Sequence, residues 1–105
     1  MAVKSRREQL EAMLVEDPND AFLGYGLAMD HVSAGDDVGA VACFRTLLER
    51  NPAYVPGWQQ LGQTLARMGR LDEARDAWQR GIIQAQQQGN AHAAQEMQGM
   101  LEGLD

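Results

Sequence analysis

The feature that most limits how this chain can fold is a stretch of sequence that occurs twice. Residues 22–29 can be placed over residues 58–65 at a shift of 36 positions. The alignment matches the aromatic residues Phe22 and Trp58 and the glycines Gly26 and Gly62, and it also pairs Tyr25 with Leu61. A period of this length is typical of proteins built from stacked units, each of which buries its apolar face only against its neighbours.

A second match follows at a slightly different spacing. Ala40 and Phe44 align with Ala74 and Trp78 at a shift of 34 positions. The difference between the two shifts predicts a two-residue insertion in the first copy, near residues 32–34 and just before a turn.

Apolar residues recur three and four positions apart along the chain, a spacing that predicts α-helices rather than strands. The stretches are separated by residues that stop helices, namely Pro18, Gly35, Pro52, Gly69 and Gly89. Six helices are predicted, near residues 4–16, 20–33, 36–50, 54–68, 71–87 and 91–103. Because the connections are short, consecutive helices must lie antiparallel. The prediction is an all-α fold of stacked helix–turn–helix units.

The two copies resemble the tetratricopeptide repeat, whose pattern is Trp-x2-Leu-Gly-x2-Tyr, then Ala-x3-Phe, then Pro, in about 34 residues. In residues 19–54 the resemblance is carried by Phe22, Tyr25, Gly26, Ala40, Phe44 and Pro52. In residues 55–88 it is carried by Trp58, Leu61, Gly62, Ala74 and Trp78. It implies one domain over residues 1–105, folded as a short right-handed α-solenoid. Half-repeats over residues 4–18 and 89–105 are expected to cap its ends.

Charge and composition exclude several kinds of partner. The chain has 15 acidic and 9 basic side chains and a formal net charge of −6, so no nucleic-acid partner is expected. One cysteine, Cys43, excludes an internal disulfide and a thiolate-rich metal site. No stretch approaches the roughly 20 apolar residues that cross a bilayer, and residues 1–7 lead into no secretory signal. We therefore expect no membrane association and a cytoplasmic location.

The resemblance implies a protein–protein interaction module, because this family holds a peptide or helix of a partner in a concave groove. The first helix of each unit lines that groove, which here predicts the residues Asp20, Leu23, Leu27, Asp30, His31, Gln59, Gln63, Arg67, His92 and Gln95. Family members that grip a terminal carboxylate have Lys and Asn on this wall, where this chain has Leu and Gln. A partly apolar peptide or helix is therefore the expected ligand. Burial of Leu23 and Leu27 by the first helix is an open alternative.

Self-association is the alternative function. The last predicted helix carries an apolar stripe that could pair with the same helix of a second molecule and form a homodimer: Met97, Met100, Leu101 and Leu104. An amphipathic helix more often packs toward its own core. In that case this helix would close the end of the array.

Residues that could carry catalysis or bind a metal are few and separated. His31 and His92 are the two histidines, and neither belongs to a cluster with the spacing of metal ligands. His31 is expected to interact with free carbonyl groups at the end of its helix. Cys43 is expected to be a small buried apolar residue, and the acidic pair at 36–37 to place charge at a helix N-terminus. The sequence predicts no enzymatic activity, no cofactor and no metal.

Overall fold

The computed structural model describes residues 3–104, which contain six α-helices and no strand. The helices are α1 Arg6–Glu16, α2 Ala21–Ser33, α3 Asp37–Arg50, α4 Val55–Arg67, α5 Leu71–Gln87 and α6 Ala91–Glu102. Each helix packs against the next one in the chain, and the molecule is elongated, measuring 51 × 28 × 19 Å. The predicted all-α fold with six helices is confirmed.

Local signals fix where the helices begin and end. Ser5 and Glu8 form a reciprocal capping box at the start of α1. The side chains of Asp20, Asp36 and Asn90 each accept a hydrogen bond from a first-turn N–H of α2, α3 and α6, which satisfies a backbone group that the helix itself leaves free. Three helix ends are followed by a glycine with φ between 71° and 80°, the left-handed region that glycine adopts most readily: Gly35, Gly69 and Gly89.

These ends set the period of the repeat at 34 residues. Asp20 and Tyr54 directly precede α2 and α4, and Gly35 and Gly69 make the turns that follow them. Both pairs are 34 positions apart, and the two helices have the same length of 13 residues. The first copy therefore has no two-residue insertion near residues 32–34, and the predicted shift of 36 was wrong.

The corrected period changes which residues of α2 correspond to the motif of α4. The places of Trp58, Leu61 and Gly62 are taken, in that order, by Gly24, Leu27 and Ala28. The assignment of Phe22, Tyr25 and Gly26 to the motif was therefore wrong. Phe22 is 75% exposed, whereas Trp58 is 9% exposed. Gly26 faces Leu10 of α1, since a Cβ at this glycine would lie 3.5 Å from Leu10 Cδ2.

Each unit has a packing pair made of one large residue and one glycine, and the two units place the glycine on opposite helices. In the second unit Trp58 of α4 packs on Gly81 of α5, where an added Cβ would lie 2.8 Å from Trp58 Cβ. In the first unit the glycine is on the first helix, because a Cβ on Gly24 would lie 3.5 Å from Leu47 Cβ of α3. The members of one pair lie 34 positions from those of the other. The space between the two helices is thus filled from opposite sides, which keeps the interior close-packed.

The core extends through α2 to α6 and leaves α1 at its edge, where none of its residues is fully buried. The motif positions of α3 and α5, the second helices of the two units, lie within this core: Ala40, Phe44, Ala74 and Trp78. At the other end of the array, Met97 of α6 is fully buried. The residues that follow it on the same stripe are partly buried against the core, namely Met100, Leu101 and Leu104. The stripe considered for self-association therefore packs inward.

Candidate functional site

Most of the groove residues predicted on α2 face α1 and α3, which are the second helices of the N-terminal half-repeat and of the first unit. Arg7 of α1 donates a hydrogen bond from Nε to the Asp30 carboxylate at 2.9 Å. The His31 ring lies 2.9 Å from the Asp36 carboxylate, directly before α3. Leu27 lies in a cleft between α1 and α3. These side chains are therefore occupied with contacts between helices.

Asp20 and Leu23 complete the predicted set on α2. Asp20 caps the helix through its carboxylate and lines the same cleft. Leu23 is partly buried and takes the place of Gly57, which packs on Leu48 of α3. The prediction that the groove residues of α2 share one wall with those of α4 was wrong, because the two helices had been aligned at a shift of 36 positions. The α2 residues in that prediction were Asp20, Leu23, Leu27, Asp30 and His31.

The turn between α2 and α3 is held by the carboxylate of Asp36. One oxygen accepts a hydrogen bond from the Gly39 N–H at 2.9 Å, and the other lies 2.9 Å from His31 Nδ1. The Gly39 N–H and then the His31 ring hold the pKa of Asp36 below its ordinary value. The ring of His31 thus pairs with a carboxylate, and the prediction that it interacts with free carbonyl groups was wrong.

Residues predicted on α4 and α6 do come together. Gln59 Nε2 donates a hydrogen bond to the Glu96 carboxylate at 2.8 Å, and Gln63 Nε2 lies 3.8 Å from Met100 Sδ. His92 contacts the Glu96 carboxylate from one turn earlier in α6. Gln59, Gln63 and His92 therefore share one surface that spans two first helices.

The two remaining predicted residues differ in their surroundings. Gln95 is exposed on α6. Arg67, at the end of α4, reaches α3 and forms two hydrogen bonds with the Asp37 carboxylate, at 2.9 and 3.2 Å. These bonds lower the pKa of Asp37 and raise the pKa of Arg67. Arg67 thus joins two helices of the fold.

On α2 the surface shared by the first helices is formed by residues that sequence reasoning did not select. Tyr25 and Met29 correspond to Gln59 and Gln63 at the period of 34, and Phe22 precedes Tyr25 by one turn. We name the following residues the first-helix face: Phe22, Tyr25, Met29, Gln59, Gln63 and Gln95. Its α2 end is apolar, and its α4 and α6 end carries amides. The spacing of the glycine turns is the sequence signal that would have identified these α2 residues.

A second surface feature, which we name the second-helix cleft, lies between α1 and α3 with α2 beneath it. It has two adjoining parts, of about 260 and 360 Å³. Its apolar lining includes Leu14, Leu27 and Leu47. Cys43 is half-buried there, and burial raises the pKa of its thiol, so the thiol stays protonated at neutral pH.

Within residues 3–104, no three His, Cys, Asp or Glu side chains lie close enough together to hold a metal ion. No helix in that range is long and apolar enough to cross a membrane. The first-helix face and the second-helix cleft are two surfaces of the described residues that are open to contact with another molecule.

Comparison with known proteins identifies the repeat. The family model described as tetratricopeptide repeat matches residues 31–97. A TPR repeat-containing protein of Pseudomonas aeruginosa is 36% identical over 98 residues, which cover 93% of each chain. The solution structure of a protein from Bordetella parapertussis matches with a TM-score of 0.80 and 30% identity, over 97% of this chain and 89% of that one. A tetratricopeptide repeat domain protein from Salinibacter ruber matches with a TM-score of 0.79 and 32% identity, over 84% and 89%. This chain belongs to the tetratricopeptide repeat family.

Proposed function

We propose that the protein is an interaction module that holds a peptide or helix of a partner protein on its first-helix face. The tetratricopeptide repeat is a protein-interaction fold and not an enzymatic one. The observation that carries the proposal is Phe22, an aromatic side chain that is 75% exposed at one end of a row of side chains on three helices. Contiguous apolar surface with a polar rim commonly marks a contact site.

The side chains of this face favour a ligand with one apolar and one polar part. Phe22 and Met29 offer apolar surface beside Tyr25, whose ring packs against two further aromatic rings. The flexible thioether of methionine adapts to ligands of different shape. Along α4, the amides of Gln59 and Gln63 can both donate and accept hydrogen bonds with a peptide backbone.

The proposal treats residues 1–105 as one binding domain, with repeat units at 19–54 and 55–88 between the two half-repeats. It places the protein in the cytoplasm, where a free thiol such as Cys43 stays reduced. It requires no cofactor, metal or nucleic acid.

Capture of partners from a lysate of the source cells tests the proposal. The baits are wild type, Phe22→Arg and the matched control Val38→Arg, once circular dichroism has shown equal helicity. Val38 is 71% exposed on α3, outside the first-helix face, and receives the same charge. We expect wild type and Val38→Arg to retain the same partner, and Phe22→Arg to bind it about tenfold more weakly, as expected for loss of one aromatic contact.

Two other outcomes would contradict the proposal. Equal capture by all three baits would place the contact outside the first-helix face. A wild-type bait that retains no partner, but whose mass rises with its concentration, would favour self-association.

A further inference from the structure

The two ends of the array carry complementary halves of a repeat unit. At one end α1 has the place of a second helix, as α3 and α5 do, and it packs on α2. At the other end α6 has the place of a first helix, as α2 and α4 do, and it packs on α5. Within residues 3–104, α1 has no first helix of its own unit beside it and α6 has no second helix. Each of these helices therefore keeps one side that a complete unit would cover.

The open side of α6 is the side that α4 turns toward α5. The N-caps of α4 and α6 are residues 54 and 90, so equivalent residues of these helices lie 36 positions apart. In α4 two residues that pack on α5 are Trp58 and Gly62, both of them buried. Their places on α6 are taken by Ala94, which is partly buried, and Gln98, which is exposed. This side of α6 is therefore accessible to a further helix.

The open side of α1 corresponds to the side of α5 that α4 covers. The C-caps of α1 and α3 are residues 17 and 51, and the N-caps of α3 and α5 are residues 36 and 70, so each step is 34 positions. On α5 the covered residues include Trp78 and Gly81. Their places on α1 are taken by Leu10 and Met13. Met13 is 52% exposed, and Leu10 lines an open depression of about 220 Å³ between α1 and α2.

The side chains of the two open sides complement each other in size. If α6 lay on α1 as α4 lies on α5, Ala94 would face Met13. One turn further along, Gln98 would face Leu10. In each unit of the array a glycine faces a large residue, because a close-packed contact needs opposing volumes that together fill the same space. Both new pairs meet this condition, since neither sets two aromatic residues or two glycines against each other.

Arg6 makes the contact looser than the packing inside a unit. It takes the place of Ala40 and Ala74, which are fully buried between helices. The long stem of an arginine holds a neighbouring helix farther away and keeps the charged group in water. Association through α1 is therefore expected to be weaker than the packing of the array itself.

The charges at the two ends have opposite signs. A short turn joins the end of a first helix to the start of its second helix, so the end of α6 would lie beside the start of α1. There Lys4 and Arg6 are exposed, and neither side chain has an ion-pair partner within residues 3–104. Glu102 ends α6, and residues 81–105 contain no Lys or Arg. Free carbonyl groups at the end of a helix add partial negative charge.

We propose that the protein associates head to tail with further copies of itself, with α6 of one copy packed on α1 of the next. The two half-repeats then form one complete unit, and the array continues from copy to copy. Because the contact joins two different surfaces, every assembly keeps one of each free at its ends, and growth does not stop at a dimer. The inference goes beyond the proposed function, since it needs no other protein.

Sedimentation velocity measures the assembly between about 10 µM and about 1 mM, the range expected for a small contact. Wild type should grow beyond a dimer as its concentration rises. Met13→Arg blocks the open side of α1, and Gln98→Arg places a cation of α6 near Arg6 of the next copy. Each variant alone should associate about tenfold more weakly, once circular dichroism has shown unchanged helicity. Ile83→Arg is the matched control, because Ile83 lies on α5 and is 52% exposed, as Met13 is.

A mixture of the two end variants tests the direction of the contact. The Met13→Arg copy keeps a native α6, and the Gln98→Arg copy keeps a native α1. Their equimolar mixture should therefore form a dimer and grow no further. An exchange of charges is the second test: Arg6→Glu should weaken association, and Glu102→Arg added to the same chain should restore it.

Growth of wild type and of Ile83→Arg, together with a dimer in the mixture of end variants, supports the proposal. A wild type that stays monomeric over the whole range, a mixture that stays monomeric, or an exchange of charges that restores nothing would overturn it. Undiminished association of Met13→Arg would also do so, because that result indicates pairing of α6 with α6. These samples contain no partner protein, so their outcome is independent of the Phe22→Arg capture test.

Discussion

At the scale of single residues, packing in this array is decided by opposing pairs. Trp58 lies on Gly81, and the indole of Trp78 lies against Gly62. In a close-packed interior, the volume that one side chain takes must be left free by the residue opposite. A glycine at such a place is therefore required by its partner and not by the backbone.

Alanine at two helical glycines is expected to change stability in opposite directions. A Cβ on Gly62 would overlap the Trp78 indole, so Gly62→Ala should lower the free energy of unfolding by about 1 to 3 kcal/mol. Gly99, inside α6, has no atom within 4 Å of an added Cβ. Gly99→Ala should therefore raise the free energy of unfolding by about 0.5 to 1 kcal/mol, through helix propensity. Urea denaturation measures both values, and a change of the same sign in both variants would contradict the prediction.

Sequence reasoning identified the motif residues of the second helices but not those of α2. The former keep both their spacing and their residue type and are buried: Ala40, Phe44, Ala74 and Trp78. On α2, likeness of type paired Phe22 with Trp58, since both are aromatic. Packing conserves the combined volume of two opposing residues, so the counterpart of Trp58 is Gly24, the residue least like it. An exchange of this kind cannot be found by matching residue types.

At the scale of helices, the ends were predicted well and the orientation of α2 was not. Caps and turn glycines are local signals, so they can be read without knowledge of the packing. An α-helix has 3.6 residues per turn, and an error of two residues rotates its predicted face by about 200°. Leu27 and Asp30 therefore face the second helices, and Phe22 and Met29 form the first-helix face.

Asp36, the N-cap of α3, is expected to make stability depend on pH. The Gly39 N–H and the His31 ring lower its pKa in the folded protein below the ordinary value of 3.8. Such a carboxyl adds stability above its ordinary pKa, and this stability is lost as the pH falls through the folded value. Asp36→Asn keeps an oxygen that can cap the helix but does not titrate.

The stability difference between wild type and Asp36→Asn should therefore be larger at about pH 6 than at about pH 3. Urea denaturation of both proteins at the two pH values checks this. A difference that stays constant would assign the effect of Asp36 to cap geometry alone.

At the scale of the whole molecule, contacts are concentrated between helices that follow one another, so each helix is stabilised mainly by its neighbours in the chain. The number of buried residues differs from helix to helix. No residue of α1 and one of α2 is buried, whereas α4 buries seven residues and α5 five. The N-terminal end should therefore be the first to open.

Two spectroscopic probes should separate the ends of the array. Trp58 and Trp78 lie in α4 and α5, so their fluorescence reports the second unit, whereas far-UV circular dichroism reports all the helices. In urea, we expect the dichroism signal to begin to fall at a lower concentration than the fluorescence changes. Ser5→Ala removes the capping box of α1 at a cost of about 1 kcal/mol. It should advance the dichroism change and leave the fluorescence midpoint in place.

Coincident transitions of the two probes in wild type would contradict this prediction. They would mean that the array unfolds as one cooperative unit despite its uneven burial.

The exchange of a glycine and a large residue between the two units bears on how such a chain can diversify. Two substitutions at facing positions convert one arrangement into the other, and neither alters the length of a helix or a turn. The same two helices can therefore accept the exchange in either direction, while the adjoining repeats keep their contacts. A chain of this kind can change its interior side chains one unit at a time, on a scaffold whose backbone stays the same.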